Sequence, residues 1–299
     1  MNGRKARRLK ENVAGYGFLT PSMLLMITFV VLPILISAYL SFCKYNGFKE
    51  PQWIGLQNYA EILNAPDFWV SMKNTLIYVL VTVPITIVIS LVLAAILAAN
   101  FQNPFGEFTR GAMFIPVLCS STLAGTLFYY LFSSDAASVA NSIVSLFGLG
   151  KINWLGERNT ALAVICIVGI WKNVGYYLVI FYAGIMDVPK SLYEAAGVDG
   201  ANPIQQFFHV TLPSIRPIMY LVMTLCIIWA FQVFDVTYVM TNGGPGNATL
   251  SPVLLIYKQA FSSHKMGLAS ATAILLAFLI FLVTIVQRAL TNEKDGAEQ

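Results

Sequence analysis

The chain has 299 residues, 57% of them apolar and only 11% charged, against about 45–50% and about 25% in ordinary soluble domains. Charged side chains are expelled from long blocks rather than scattered, which excludes a cytosolic enzyme with a greasy core and leaves a polytopic membrane protein. Lys and Arg number 18 against 14 Asp and Glu, a formal charge of +4 spread over the whole chain, so no basic face exists to offset nucleic-acid phosphates.

A bilayer core of about 30 Å needs about 20 helical residues. Runs between charged side chains extend over 12–43, 74–106, 111–134, 159–186 (interrupted by Lys172), 217–234 and 266–287. They predict an all-α protein of six transmembrane helices, at about 16–42, 74–100, 111–133, 161–184, 217–239 and 266–288, forming one transmembrane domain over 1–299. The first run follows a basic stretch, as a signal peptide would. Its apolar core far exceeds the usual length of about 7–15 residues, and no small-residue cleavage pattern closes it. It is therefore read as a retained helix. Arg4, Lys5, Arg7, Arg8 and Lys10 place the N-terminus in the cytoplasm, and six spans bring the C-terminus back to the same side. Trp53, Tyr59, Trp69 and Trp154 then fall in outer loops near span ends, where an interfacial aromatic belt is expected. Cys43, Cys119, Cys166 and Cys226 have no paired spacing and predict neither a disulfide framework nor a zinc site.

The cytoplasmic connection 187–216 has more local logic than a linker needs. Ser191 with Glu194 fits a capping box, so a short helix is expected to start near Ser191 and to end at Gly197 or Gly200. Asn202 caps a second, with Pro203 at its first position and Pro213 bounding it. Tyr193, Phe207 and Phe208 give this pair either an interfacial face for lipid or a rigid knob for a cytoplasmic partner.

The spacing Glu194-Ala195-Ala196, three residues, Gly200, nine residues, Val210-x-Leu212-Pro213 resembles the EAA loop of binding-protein-dependent ABC importers. Three further stretches resemble the maltose-type sugar importers of that family, in particular their first kind of permease subunit. They are the basic tail with the first span, Gly55-Leu56-Gln57-Asn58-Tyr59, and the segment from Phe234 to Thr249 with its Thr241-Asn242-Gly243-Gly244-Pro245 core. The resemblance implies a multi-pass permease of the cell membrane that imports a sugar or a sugar derivative such as glycerol phosphate by alternating access. Its implied partners are a second, related permease in a heterodimer, a dimer of ATP-binding subunits using ATP and magnesium, and an extracytoplasmic solute-binding protein. Glu194, Ala195, Ala196, Gly200, Leu212 and Pro213 are implied to seat in a cleft of the ATPase.

Lys172 is the only ionisable residue in the middle of a predicted span. Such a group is costly in lipid and normally faces protein or water. Asn173 and Tyr176 lie beside it, and Trp229, Gln232 and Asp235, spaced by three, are expected to share one face of the fifth helix. An aromatic platform with a few amide and charged partners suits a sugar, which has apolar C–H faces and hydroxyl edges. Lys172 snorkelling or pairing with a neighbouring helix and Trp229 filling a bundle core are the structural alternatives. A gate formed by a Lys172–Asp235 ion pair is a weaker expectation, because the two sit at different predicted depths.

No catalytic constellation or metal site is expected, since His209 and His264 have no histidine or cysteine at ligand spacing. No Gly-x-x-x-x-Gly-Lys-Ser/Thr run occurs, so the energy is expected from a partner. The segment Gly243-Gly244-Pro245-Gly246 reads as a turn or a docking surface for the external binding protein. Against the importer reading stand an intramembrane enzyme, which needs paired ionisable residues at one depth, and an ion-driven secondary transporter, which needs broken helices and buried carboxylates. Neither feature is expected here.

Overall fold

The computed structural model describes residues 16–135 and 137–296, with side chains as far as 289. The basic cluster Arg4–Lys10, which carries the orientation reading, lies outside the described residues. Five helices are long and apolar enough to cross a membrane, and a bent pair makes a sixth crossing if counted as one span. Among the described residues the chain departs from all-α only in a hairpin of two-residue strands, β1 (Cys43–Lys44) with β2 (Gln52–Trp53). It divides into two compact units, one gathering the chain up to Asn64 with Ile256–Leu275, the other Ala65–Leu255 with the chain from Leu276 onward.

In the first unit, α1 (Tyr16–Leu40) is exposed at every residue from Tyr16 to Ile36, the surface of a helix apolar all round. Its wide turn at Ile27–Val31, where Leu32 N–H reaches the Ile27 carbonyl, precedes Pro33, whose missing N–H and bulky ring disfavour regular α geometry there. Beyond β1 and β2 comes α2 (Gln57–Asn64). Buried Asn58 donates to the Ser41 and Cys43 carbonyls (2.8 and 2.9 Å), and Tyr59 hydroxyl meets Ser41 Oγ at 2.8 Å. The Gly-Leu-Gln-Asn-Tyr stretch thus latches the end of α1. Trp53 stacks on Phe42 with ring centroids 5.4 Å apart.

In the second unit, α3 (Pro66–Asn100) begins eight residues before the predicted span, with Pro66 in its first turn and Asp67 at its positive end. The charge of Lys73 had marked a boundary that the backbone ignores. Asn103 Oδ1 caps α4 (Pro104–Leu118) through Gly106 N–H at 3.0 Å. Where one span over 111–133 was expected, α4 gives way to α5 (Ser121–Leu131) with a bend of 94°. After α6 (Val139–Leu146), buried Asn141 accepts from Ile152 N–H and Trp154 Nε1–H, both at 3.0 Å, and donates to the Asp135 and Ile152 carbonyls.

The centre of this unit is α7 (Arg158–Met186), whose Val164, Ile165, Val168, Tyr177, Leu178 and Phe181 are all but inaccessible. It packs against α3 and α4. The contact with α4 requires Gly175, because a β-carbon there would overlap the Met113 carbonyl oxygen. The fifth span, Arg216–Thr241, is also interrupted, less sharply than the third, as α10 (Arg216–Phe231) and α11 (Asp235–Thr241). The helices α12 (Pro252–Tyr257) and the long α13 (Met266–Gly296) are each divided between the two units. The expectation that no span is broken is therefore corrected at two places.

Candidate functional site

The two breaks face the same space. At the first, Cys119 (ψ 134°) and Ser120 (ψ 138°) are extended between α4 and α5. At the second, Gln232 and Phe234 leave helical geometry between α10 and α11. The second half of the bent pair, α5, packs on α11. Together with α3 and α7 the breaks enclose a cavity of about 400 Å³. A broken helix exposes carbonyls that would otherwise be paired, so these positions need donors. Lys172 Nζ donates to the Cys119 carbonyl at 2.6 Å, and Ser251 Oγ donates to the Val233 carbonyl at 2.7 Å.

Five of the six predicted solute residues, Lys172, Asn173, Trp229, Gln232 and Asp235, line this cavity. Tyr176 does not line it but stands behind, its ring centroid 5.1 Å from that of Trp229, with Tyr177 at 6.3 Å on the same indole. Trp229 keeps 45% of its surface exposed and lines the cavity. Asn173 Nδ2 donates to the Gly169 carbonyl at 2.8 Å. The expectation that Gln232 and Asp235 share a helical face with Trp229 is corrected: the helix ends at Phe231, and the break itself brings Gln232 and Asp235 to the cavity. Asp235, first residue of α11, also sits where the helix dipole favours a carboxylate. Among the described residues Lys172 and Asp235 form no ion pair, so the gate expected from them is not made.

Sequence reasoning missed the α3 wall. Tyr78, Thr82 and Thr86 line the cavity, within a buried polar row, Ser71, Thr75, Tyr78, Thr82, Thr86 and Ser90. Their spacing of three and four residues puts them on one helical face, and that periodicity inside an apolar run was a usable signal.

The connection after α7 folds as α8 (Lys190–Val198) and α9 (Pro203–Gln206). The capping box expected at Ser191 is corrected: the helix starts one residue earlier, after Pro189 (φ −56°, ψ 128°), without a side-chain cap. The reciprocal box is at Asn202 and Gln205, with both bonds at 2.9 Å. Gly200 (φ +81°) closes α8. Its N–H reaches the Gly197 carbonyl (3.1 Å) and the Ala201 N–H reaches that of Ala196 (2.9 Å), the paired bonds of a Schellman end with glycine in the left-handed position. From Gln206 the chain runs through a wide turn, Phe207–Thr211, into Leu212–Ser214. As at Pro33, this turn precedes a proline, Pro213. Tyr193 hydroxyl meets Thr211 Oγ1 at 2.9 Å and ties the two arms together.

Glu194 and Ala195 are exposed, Ala196 half-buried. Leu192, Val198, Ile204 and Phe208 expose apolar surface beside them. Gly200→Val forces a β-branched residue into the left-handed region at about 1–2 kcal/mol. Hydrogen exchange at α8 amides is expected to accelerate about tenfold with α7 unchanged; unaltered exchange would remove the structural role given to Gly200.

The family profile described as "Binding-protein-dependent transport system inner membrane component" matches residues 74–294. The chain belongs to this family. That span holds the whole second unit's cavity and the loop with Glu194. Among curated relatives, the arabinooligosaccharides transport system permease protein AraP of Bacillus subtilis is 34% identical, covering 96% of this chain and 91% of its own length. The trehalose/maltose transport system permease protein MalF of Thermococcus litoralis is 31% identical, covering 93% and 94%. In fold, the chain is similar to a chain of a bacterial ABC transporter involved in the import of the acidic polysaccharide alginate, with TM-score 0.83 at 21% identity over 97% of this chain and 99% of that one.

The remaining recognised segment of this transport-system component, 241–249, is a turn anchored to α3. Asn74 Nδ2 donates to the Asn247 and Leu250 carbonyls (2.8 and 3.1 Å), and Asn247 Nδ2 donates to Asp67 at 2.8 Å. Thr241 and Thr249 hydroxyls close it at 2.6 Å.

Proposed function

We propose that the chain is one of two related permease subunits of an ATP-driven importer of a sugar or oligosaccharide. The cavity at the two helix breaks is its solute site, and alternating access moves it between the two faces of the membrane. One observation carries this reading: a half-exposed indole, in ring contact with Tyr176 and Tyr177, lines one cavity together with amide, hydroxyl and carboxylate groups. Stacking on apolar sugar faces and hydrogen bonding to hydroxyls need that mixture. The names of the relatives, which refer to arabinooligosaccharides and to trehalose and maltose, support the same class.

The chain then acts as a single permease domain over 1–299, with both termini and the loop 187–216 in the cytoplasm. Glu194, Ala195, Ala196, Gly200, Leu212 and Pro213 meet one subunit of an ATPase dimer, which binds the ATP and magnesium. A solute-binding protein delivers from outside. The short capped helix α8 suits the role of a lever, since it moves as a body where a floppy loop would absorb the motion. A phosphorylated solute such as glycerol phosphate is served less well, because Lys172, the only cationic side chain among the described residues of the cavity wall, is already held by the Cys119 carbonyl.

The test is uptake by the complete complex in proteoliposomes, with neutral oligosaccharides, acidic oligosaccharides and glycerol phosphate as competitors. Saturable, ATP-dependent uptake inhibited by a neutral sugar is expected. Uptake that only a non-carbohydrate inhibits would overturn the assignment.

A further inference from the structure

We propose that Lys172 is a positioning residue, which holds the break in the third span beside the solute cavity, and does not itself recognise the solute. The inference rests on the cavity being the solute site.

Lys172 lies midway along α7, where an ammonium away from water needs a partner. The end of α4 has the opposite need. Its last carbonyls lack helical partners and form the negative end of the helix dipole. Pro116 inside α4 has no N–H to offer and leaves the Ala112 carbonyl, one turn earlier, without its helical donor as well. One bond answers both needs: Lys172 Nζ to the Cys119 carbonyl, 2.6 Å. It falls at the 94° bend between α4 and α5, one helical turn from Gly175, where α7 touches the α4 backbone at Met113. Backbone contact and charged bond therefore fix α4 on α7 at two adjacent turns. The other half of the bent pair, α5, leaves at an angle set by the second of them, and its Phe128 packs edge-on to Trp171, next to Lys172 (4.9 Å). The other break is held by a neutral donor, Ser251. The charged donor at the first makes that bend the more strongly fixed of the two, since hydrogen bonds from ionised groups are roughly twice as strong as neutral ones.

The test compares Lys172→Met and Lys172→Arg in the complete complex, reading KM and maximal rate of uptake separately, with ATPase stimulation by loaded binding protein. Losing the bond is expected to lower the maximal rate and the stimulation about tenfold, with KM and the ranking of neutral and acidic competitors unchanged within about twofold. Lys172→Arg, which keeps a charged donor, is expected to restore most of the rate. A raised KM or an altered competitor ranking at preserved maximal rate would overturn the proposal, as would Lys172→Met transporting like the parent. If Lys172→Met fails to assemble, Lys172→Gln and Lys172→Arg decide, both retaining a donor: unchanged KM supports the proposal and a changed KM overturns it. The carbohydrate assignment is judged on competition in the parent complex, so failure here is distinct from failure of that assignment.

Discussion

Glu194→Lys is expected to abolish solute-stimulated ATP hydrolysis and uptake while the complex still assembles in normal amount. The residue is exposed near the middle of α8, and among the described residues it makes no ion pair or hydrogen bond within the chain, so reversing its charge leaves α8 intact. The effect has to come from the partner surface. Reversing a charge buried at an interface unpairs its counterpart and adds repulsion, a loss of about 2–5 kcal/mol or more, which converts to at least about thirtyfold in the coupled step. Glu194→Gln removes charge without repulsion and is expected to fall between the parent and Glu194→Lys. Parallel measurement of ATP hydrolysis with and without loaded binding protein checks this. Full stimulation in Glu194→Lys would show that force enters the membrane domain elsewhere.

Trp229→Ala is expected to raise the half-saturating solute concentration about tenfold to a hundredfold, the range of a central aromatic anchor. The indole is 45% exposed at the cavity wall, so truncation leaves no sealed void and the spans should still pack. Trp229→Phe keeps a flat face and is expected to recover most of the affinity. Asn173→Ala removes a cavity amide and the Asn173–Gly169 bond, with a smaller effect of about three- to tenfold. If both side chains contact one solute molecule, the double variant departs from the sum of the single effects. Unchanged uptake and unchanged competitor ranking in Trp229→Ala and Asn173→Ala together would place the solute site outside this cavity.

Composition and the spacing of charges made the membrane class legible, because expulsion of charge from about 20 residues is a direct demand of lipid. The loop at Glu194 was legible too, since its glycine and proline positions have local causes: Gly200 ends α8 in the left-handed region and Pro213 follows a widened turn. The two breaks were not. Neither Cys119-Ser120 nor Gln232-Val233-Phe234 interrupts the apolar pattern with charge, and each is stabilised by a donor distant in sequence, Lys172 or Ser251. The sequence presents that lysine as an anomaly that snorkels or pairs with a neighbouring helix, and Asp235 was only a weak candidate for its partner. A main-chain carbonyl carries no sequence signature, so the true acceptor could not be read. The capping box at Ser191 failed for a local reason, as Pro189 already supplies the extended residue that starts α8. The polar row on α3 was readable by its periodicity and passed over because threonine and serine do not interrupt an apolar run.

Cross-linking from a cysteine placed at Glu194 tests the central claim most directly, in membranes carrying the assembled complex and a background with the native cysteines replaced. A product with the ATP-binding subunit is predicted, with its yield changing between nucleotide-free and ATP-trapped states. Reaction with lipid probes alone, with no product to that subunit in either state, would contradict the account.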